Sequence, residues 1–145
     1  MNKFILITCI LSTISIACNN SRPNFEIVGP QSKIIAEMID AVNEKNAEKY
    51  IIGFAETVKV FVESEMKVNG REDLKANRAN HFKNHPNVRS EIQHLVEIDN
   101  RVILHDKVWL DESDKIGQNI VEIFTFENGK VSRVEVIQPK DLFKR

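Results

Sequence analysis

The spacing of hydrophobic positions changes period along this chain, and each change marks an element. A largely apolar run from Phe4 to Ile16 follows the charged start Met1-Asn2-Lys3. It has the length of a signal peptide's apolar region and is too short for a spanning helix, which takes about 20 residues. Asn19 to Pro30 is polar, is broken by Pro23, Gly29 and Pro30, and reads as a tether. Ile34, Ile35, Met38, Ile39 and Val42 then recur at helical spacing, with Ser32 as the expected N-cap and an end near Asn46. A shorter helix is predicted over Ala47–Phe54. The period switches to two at Val58–Val62, with a second short strand at Glu65–Val68. Asn69-Gly70 turns the chain into a third helix, Arg71 to about His85, which Pro86 stops.

The remainder is strand after strand. Val88–Ile98 alternates, a turn at Asp99-Asn100-Arg101 leads to Val102–Leu110, and a polar loop at Asp111–Lys115 leads to Gln118–Phe126. Asn128-Gly129 is a strong hairpin signal before a last strand, Lys130–Ile137. Helices first and an antiparallel meander last predict an α+β fold, with the N-terminal helices packed on a curved, mostly antiparallel sheet of about six strands.

Parity along the strands sorts the side chains by face. Val88, Ile92, Val96 and Ile98 share a face with His94. With a three-residue turn, Ile98 pairs with Val102, Val96 with Leu104, His94 with Asp106 and Ile92 with Val108, which sets apolar beside apolar. A two-residue turn would instead set His94 opposite His105. On the fifth strand Ile120, Phe124 and Phe126 share a face with Glu122. The other face carries Leu95, Ile103, Trp109, Val121 and Ile123; it needs cover, and a homodimer through it is the expectation.

Composition narrows the function classes. The chain has 145 residues, 42% of them hydrophobic, and a net charge of −1. Charges of both signs are interspersed without a basic stripe, so nucleic acid is not an expected partner. The two cysteines are Cys9, inside the apolar run, and Cys18 at its end. Ser15-Ile16-Ala17-Cys18 resembles the lipobox of bacterial lipoproteins, with Ser15 where leucine is commoner. That resemblance implies cleavage before Cys18, a lipid on its thiol and anchorage to a membrane of the bacterial cell envelope. The expected division is residues 1–17 as signal peptide, 18–30 as lipidated cysteine and tether, and 31–145 as one domain without a disulfide. His81 and His85 have the i, i+4 spacing that can chelate zinc, but no third ligand is evident; they read as a solvated helix end, as do Arg71, Lys75 and Arg78. No metal or cofactor is expected.

Phe54-Ala55-Glu56, Gly70-Arg71-Glu72-Asp73-Leu74, Asn87-Val88-Arg89 and Phe124-Thr125-Phe126-Glu127-Asn128-Gly129-Lys130-Val131 occur in an order similar to the nuclear-transport-factor-2-like superfamily, with its ketosteroid isomerases, scytalone dehydratase and SnoaL-like cyclases. The resemblance covers about Ser32 to Gln138. It implies a cone-shaped α+β barrel whose sheet wraps an apolar pocket capped by the first helices. It implies no single activity. Against the ketosteroid isomerases, Glu122 falls on the position of the fifth-strand acid. Met38 stands at the tyrosine position, and Ser64, flanked by Glu63 and Glu65, at the proton-shuttling one.

His94, Asp106 and Glu122 are therefore the candidate acid–base groups of the pocket. Burial raises a carboxyl pKa, and a neighbouring anion holds an imidazole protonated. Two readings follow. In the first, an envelope lipoprotein binds a small apolar molecule in the cone without catalysis. In the second, a small acid–base enzyme of isomerase, dehydratase or cyclase type acts on such a molecule.

Overall fold

The computed structural model describes residues 26–140 and 142. Cys18, the signal segment and most of the tether lie outside the described residues. The elements are α1 (Pro30–Asn43), α2 (Ala47–Tyr50), a 3-10 turn (Ile51–Gly53), β1 (Phe54–Val62), β2 (Glu65–Asn69), α3 (Arg71–Asn84), β3 (Arg89–Ile98), β4 (Arg101–Trp109), β5 (Gln118–Glu127) and β6 (Lys130–Ile137). Among the described residues no helix is long and apolar enough to cross a membrane.

One curved sheet runs in the order β2-β1-β6-β5-β4-β3. Every neighbouring pair is antiparallel except β1 with β6, and the sheet stays open, with β2 and β3 as its edges. Asn128 and Gly129 both adopt positive φ, 51° and 75°, which a two-residue hairpin turn requires, and they hold Glu127 against Lys130. The helices lie on the concave face. α1 packs over β3 and β4, and α3 over β1 and β2. The core between them holds Ile35, Met38 and Ile39 of α1, Phe54 and Val58 of β1, Val102 and Leu104 of β4, and Phe124 of β5. Burying a side chain such as Phe124 contributes roughly 1.5–3 kcal/mol.

α1 starts two residues before Ser32. Pro30 occupies its first turn, where a missing N–H costs nothing, and Gly29 is the N-cap. The capping acceptor comes from the sheet: a Glu97 oxygen on β3 accepts from the Ser32 backbone N–H at 2.7 Å and from its hydroxyl at 2.6 Å. An anion at a helix N-terminus also meets the favourable end of the dipole. A Cβ on Gly29 would lie 2.4 Å from that carboxylate, so a larger residue there would displace the Glu97 cap. α1 ends at Asn43 rather than Asn46, because Lys45 turns to φ 58° and the Asn46 side chain caps α2 by accepting from the Lys49 N–H at 3.0 Å.

The register of β3 differs from the expected one. Asp99-Asn100 makes a two-residue turn, so Ile98 faces Arg101 and His94 faces His105. The expected break in the apolar face is absorbed by a bulge: Ile92 pairs with Asp106 and His94 with His105, leaving Gln93 as the extra residue. Parity flips there. Val88, Ser90 and Ile92 point inward before it, and Leu95 and Glu97 after it. Val96 and Ile98, expected inside, are 45% and 55% exposed on the convex face, and Leu95, expected outside, is buried.

Candidate functional site

Between α1 and α3, over β4, β5 and β6, the concave face encloses a cavity of about 380 Å³. That lies at the small end of the ~300–1,000 Å³ typical of ligand pockets. Most of its wall is aliphatic, with Met38 and Ile39 from α1 and Val134 and Val136 from β6. Two carboxyl groups enter it from the sheet. Asp106 on β4 faces Ile120, and Glu122 on β5 faces Leu104, so the acids are diagonal neighbours on one face.

Asp106 is 4% exposed and well supported. The Ser90 hydroxyl donates to one oxygen, and the Glu91 backbone N–H donates to the other at 3.1 Å. Ser90 is itself fixed by Asn43 of α1. The Asn43 amide accepts from the Ser90 N–H and donates to its carbonyl, both at 2.9 Å. Burial pushes the Asp106 pKa up to about 6, against the opposing hydrogen bonds from Ser90 and from the Glu91 and Lys107 backbone.

Glu122 differs in having no hydrogen-bond partner among the described residues; what surface it exposes faces the cavity. Burial pushes its pKa up to about 7. The charge of Asp106 adds to that rise, and Arg78 opposes it. Near neutral pH Asp106 is therefore mostly the stabilised anion, while Glu122 is populated in both forms.

The opposite wall comes from the helices. Tyr50 ends α2, stacks on Phe54 at 5.4 Å and has its pKa raised, chiefly by burial. Asn77, Arg78 and His81 come from α3. Burial, with help from Arg78 and His85, pushes His81 down to about 4, so it is neutral at pH 7. Arg78 and His81, expected on a solvated face, thus line the cavity. The sequence did carry a signal for them: they lie four and seven residues after Leu74, on the stripe that Leu74 and Phe82 bury.

His94 is not part of this site. The bulge at Gln93 turns it to the convex face, where it is exposed and stacks on His105. Its Nδ1 lies 3.0 Å from Nδ1 of His105, whose Nε2 lies 3.0 Å from Asn119 Oδ1. If Nε2 donates to Asn119, the proton between the two rings belongs to His94. The structure therefore brings Asp106 and Glu122 together and sets His94 on the other side of the sheet. The rings of His81 and His85 are 4.8 Å apart, but among the described residues no group of three or more His, Cys, Asp or Glu is placed to hold a metal.

A curved open sheet with helices on its concave face and polar groups entering a cavity is the architecture of the nuclear-transport-factor-2-like, or cystatin-like, fold. Solved structures share it. A cystatin-fold protein from Novosphingobium aromaticivorans has a TM-score of 0.68 at 21% identity, over 74% of this chain and 97% of its own. A candidate ketosteroid isomerase from Kribbella flavida has a TM-score of 0.64 at 18% identity, over 77% and 78%. A candidate polyketide cyclase from Sinorhizobium meliloti has a TM-score of 0.62 at 16% identity, over 72% and 93%. Residues 35–134 match the SnoaL-like domain family, and the chain belongs to it. No match was found among curated protein sequences.

Proposed function

We propose that the cavity binds a small, mostly apolar molecule bearing a carbonyl or hydroxyl oxygen, and that Glu122 and Asp106 carry out acid–base chemistry on it. The observation behind this reading is Glu122 itself, a carboxyl group without a hydrogen-bond partner among the described residues, set beside an anchored carboxylate in an apolar wall. Structural acids are ordinarily paired; one tuned toward neutrality and facing a cavity suits proton transfer. In its ionised form Glu122 takes a proton from carbon beside a carbonyl and returns it further along the chain, an isomerisation. In a dehydration the ionised Glu122 first takes the proton beside the carbonyl and then returns it to the departing β-hydroxyl, so that water leaves and the carboxylate is restored. Asp106, held by Ser90, sets the proton affinity of Glu122 and keeps its own charge in place. The isomerase and cyclase names among the fold neighbours agree with this class of reaction.

Binding without turnover is the second reading, and it has its own support. Met38, at the isomerases' tyrosine position, lines the cavity as an apolar group, and Ser64, at the proton-shuttling position, sits in the β1–β2 turn away from the lining residues. A panel of β,γ-unsaturated and β-hydroxy ketones separates the two, because isomerisation and dehydration both yield a conjugated enone with strong ultraviolet absorbance. The enzyme reading expects turnover that Glu122→Gln lowers at least ~100-fold with little change in affinity. Binding of the ketones with no enone formed overturns it and leaves the binding reading; turnover untouched by Glu122→Gln overturns the role given to Glu122. In either case the proposal places the domain at the bacterial cell envelope, held by lipid on Cys18.

A further inference from the structure

The cations of α3 are not treated alike. Arg71 pairs with Glu56 at 3.3 Å and Lys75 with Glu48 at 2.5 Å. Arg78 lines the cavity and has no carboxylate partner among the described residues. Its guanidinium lies 5.7 Å from the centre of the Tyr50 ring. Nε and Nη2 both donate to the same neutral acceptor, Oδ1 of the neighbouring Asn77, at 3.1 and 2.7 Å. A planar fork made for two oxygens is thus resting on one. Lys67, the other cation of the lining, is already engaged by Glu65. Asn77 is exposed and marks the mouth, so Arg78 stands between solvent and the apolar interior, across from the two acids on the sheet.

We propose that the ligand carries a carboxylate, which Arg78 binds at the cavity mouth, while its apolar body runs inward to Glu122. This rests on the cavity being a binding site at all, as argued above. A single guanidinium fork suits one carboxylate. Binding also has a consequence for the acids. Arg78 opposes protonation of Glu122. A ligand carboxylate cancels that charge, so Glu122 gains protons on binding near pH 7.

Calorimetry with octanoate and octanamide tests the assignment on wild type, Arg78→Met and Arg78→Lys. Wild type is expected to bind octanoate about ten-fold tighter than octanamide, or more, as a charge-assisted bond predicts, with proton uptake seen by changing the buffer. Arg78→Met should bring the two ligands within about two-fold of each other. Arg78→Lys keeps the charge but loses the fork, and should lower the preference part-way; it serves if the methionine variant does not fold. Octanamide bound as tightly as octanoate by wild type, or an acid preference undiminished in both variants, overturns the carboxylate and leaves the cavity reading standing. If wild type binds neither molecule, the binding reading falls and this inference falls with it.

Discussion

Glu122 and Asp106 stand on adjacent strands one diagonal step apart, and among the described residues only Asp106 is held by hydrogen bonds. Both hold protons in the folded state at pH values where the unfolded chain, with ordinary values of 4.5 and 3.8, has released them. The folded state therefore binds more protons between those values and about 6 to 7. Stability is fully present below the lower limit and falls as pH rises through the upper one. Replacing Glu122 with Gln removes the larger share. Urea unfolding should find Glu122→Gln more stable than wild type by about 2 kcal/mol at pH 8 and nearly equal to it at pH 4. Equal effects at both pH values would mean that the carboxyl is not desolvated.

Asn43 links the helical layer to the sheet wall that carries the two acids. Its amide satisfies both backbone groups of Ser90, and Ser90 supports Asp106. Asn43→Ala leaves a part-buried N–H and C=O without those bonds and is expected to cost about 1–3 kcal/mol. If Ser90 shifts as a result, Asp106 loses its hydroxyl donor and its pKa rises further. Carbon-detected NMR titration of the Asp106 carboxyl checks this, and an unchanged titration would separate Asn43 from the site.

Much of this was legible in the chain, and the failures have physical causes. The Asn69-Gly70 turn before it and Pro86 after it mark α3, whereas periodicity marks α1 and the longer strands, because an amphipathic element must repeat its apolar side. It placed Asp106 and Glu122 on inward faces for the same reason. It misplaced His94, Leu95, Val96 and Ile98 because one extra residue at Gln93 reverses parity without leaving a compositional trace. Arg78 and His81 read as solvated because a helix face over a polar cavity resembles a helix face over water. Tyr50 gave no signal by itself; only the fold brings the end of α2 over the sheet.

The convex face also needs an account. Ile103, Trp109, Val121 and Ile123 lie there, with Val96 in the place expected for Leu95. Arg89 lies 3.6 Å over the Trp109 ring and Arg133 3.9 Å over Phe61, so part of the face is already sheltered by cations. A homodimer through the remainder is expected in sedimentation experiments, and Ile123→Glu with Trp109→Glu should give a folded monomer. A lipid-free wild-type domain that stays monomeric at high concentration would refute it.

Anchorage is tested in cells. Ser15-Ile16-Ala17-Cys18 predicts that Cys18 carries lipid and that the protein fractionates with membranes. Cys18→Ala should move the domain to the soluble fraction or block its processing. Wild-type protein that is already soluble, with an unmodified Cys18 at its N-terminus, would rule the lipid out.

The bulge on β3 has a geometric corollary. Removing Gln93 would leave the partners across the hairpin in place, since Ile92 would still meet Asp106 and His94 would still meet His105. The strand would lose the local bend that an unpaired residue imposes. Ser90, which holds Asp106, and Glu97, which holds α1, lie on either side of that bend and would be re-aimed relative to each other. What Gln93 contributes is arc length: its presence in the count matters more than the chemistry of its side chain.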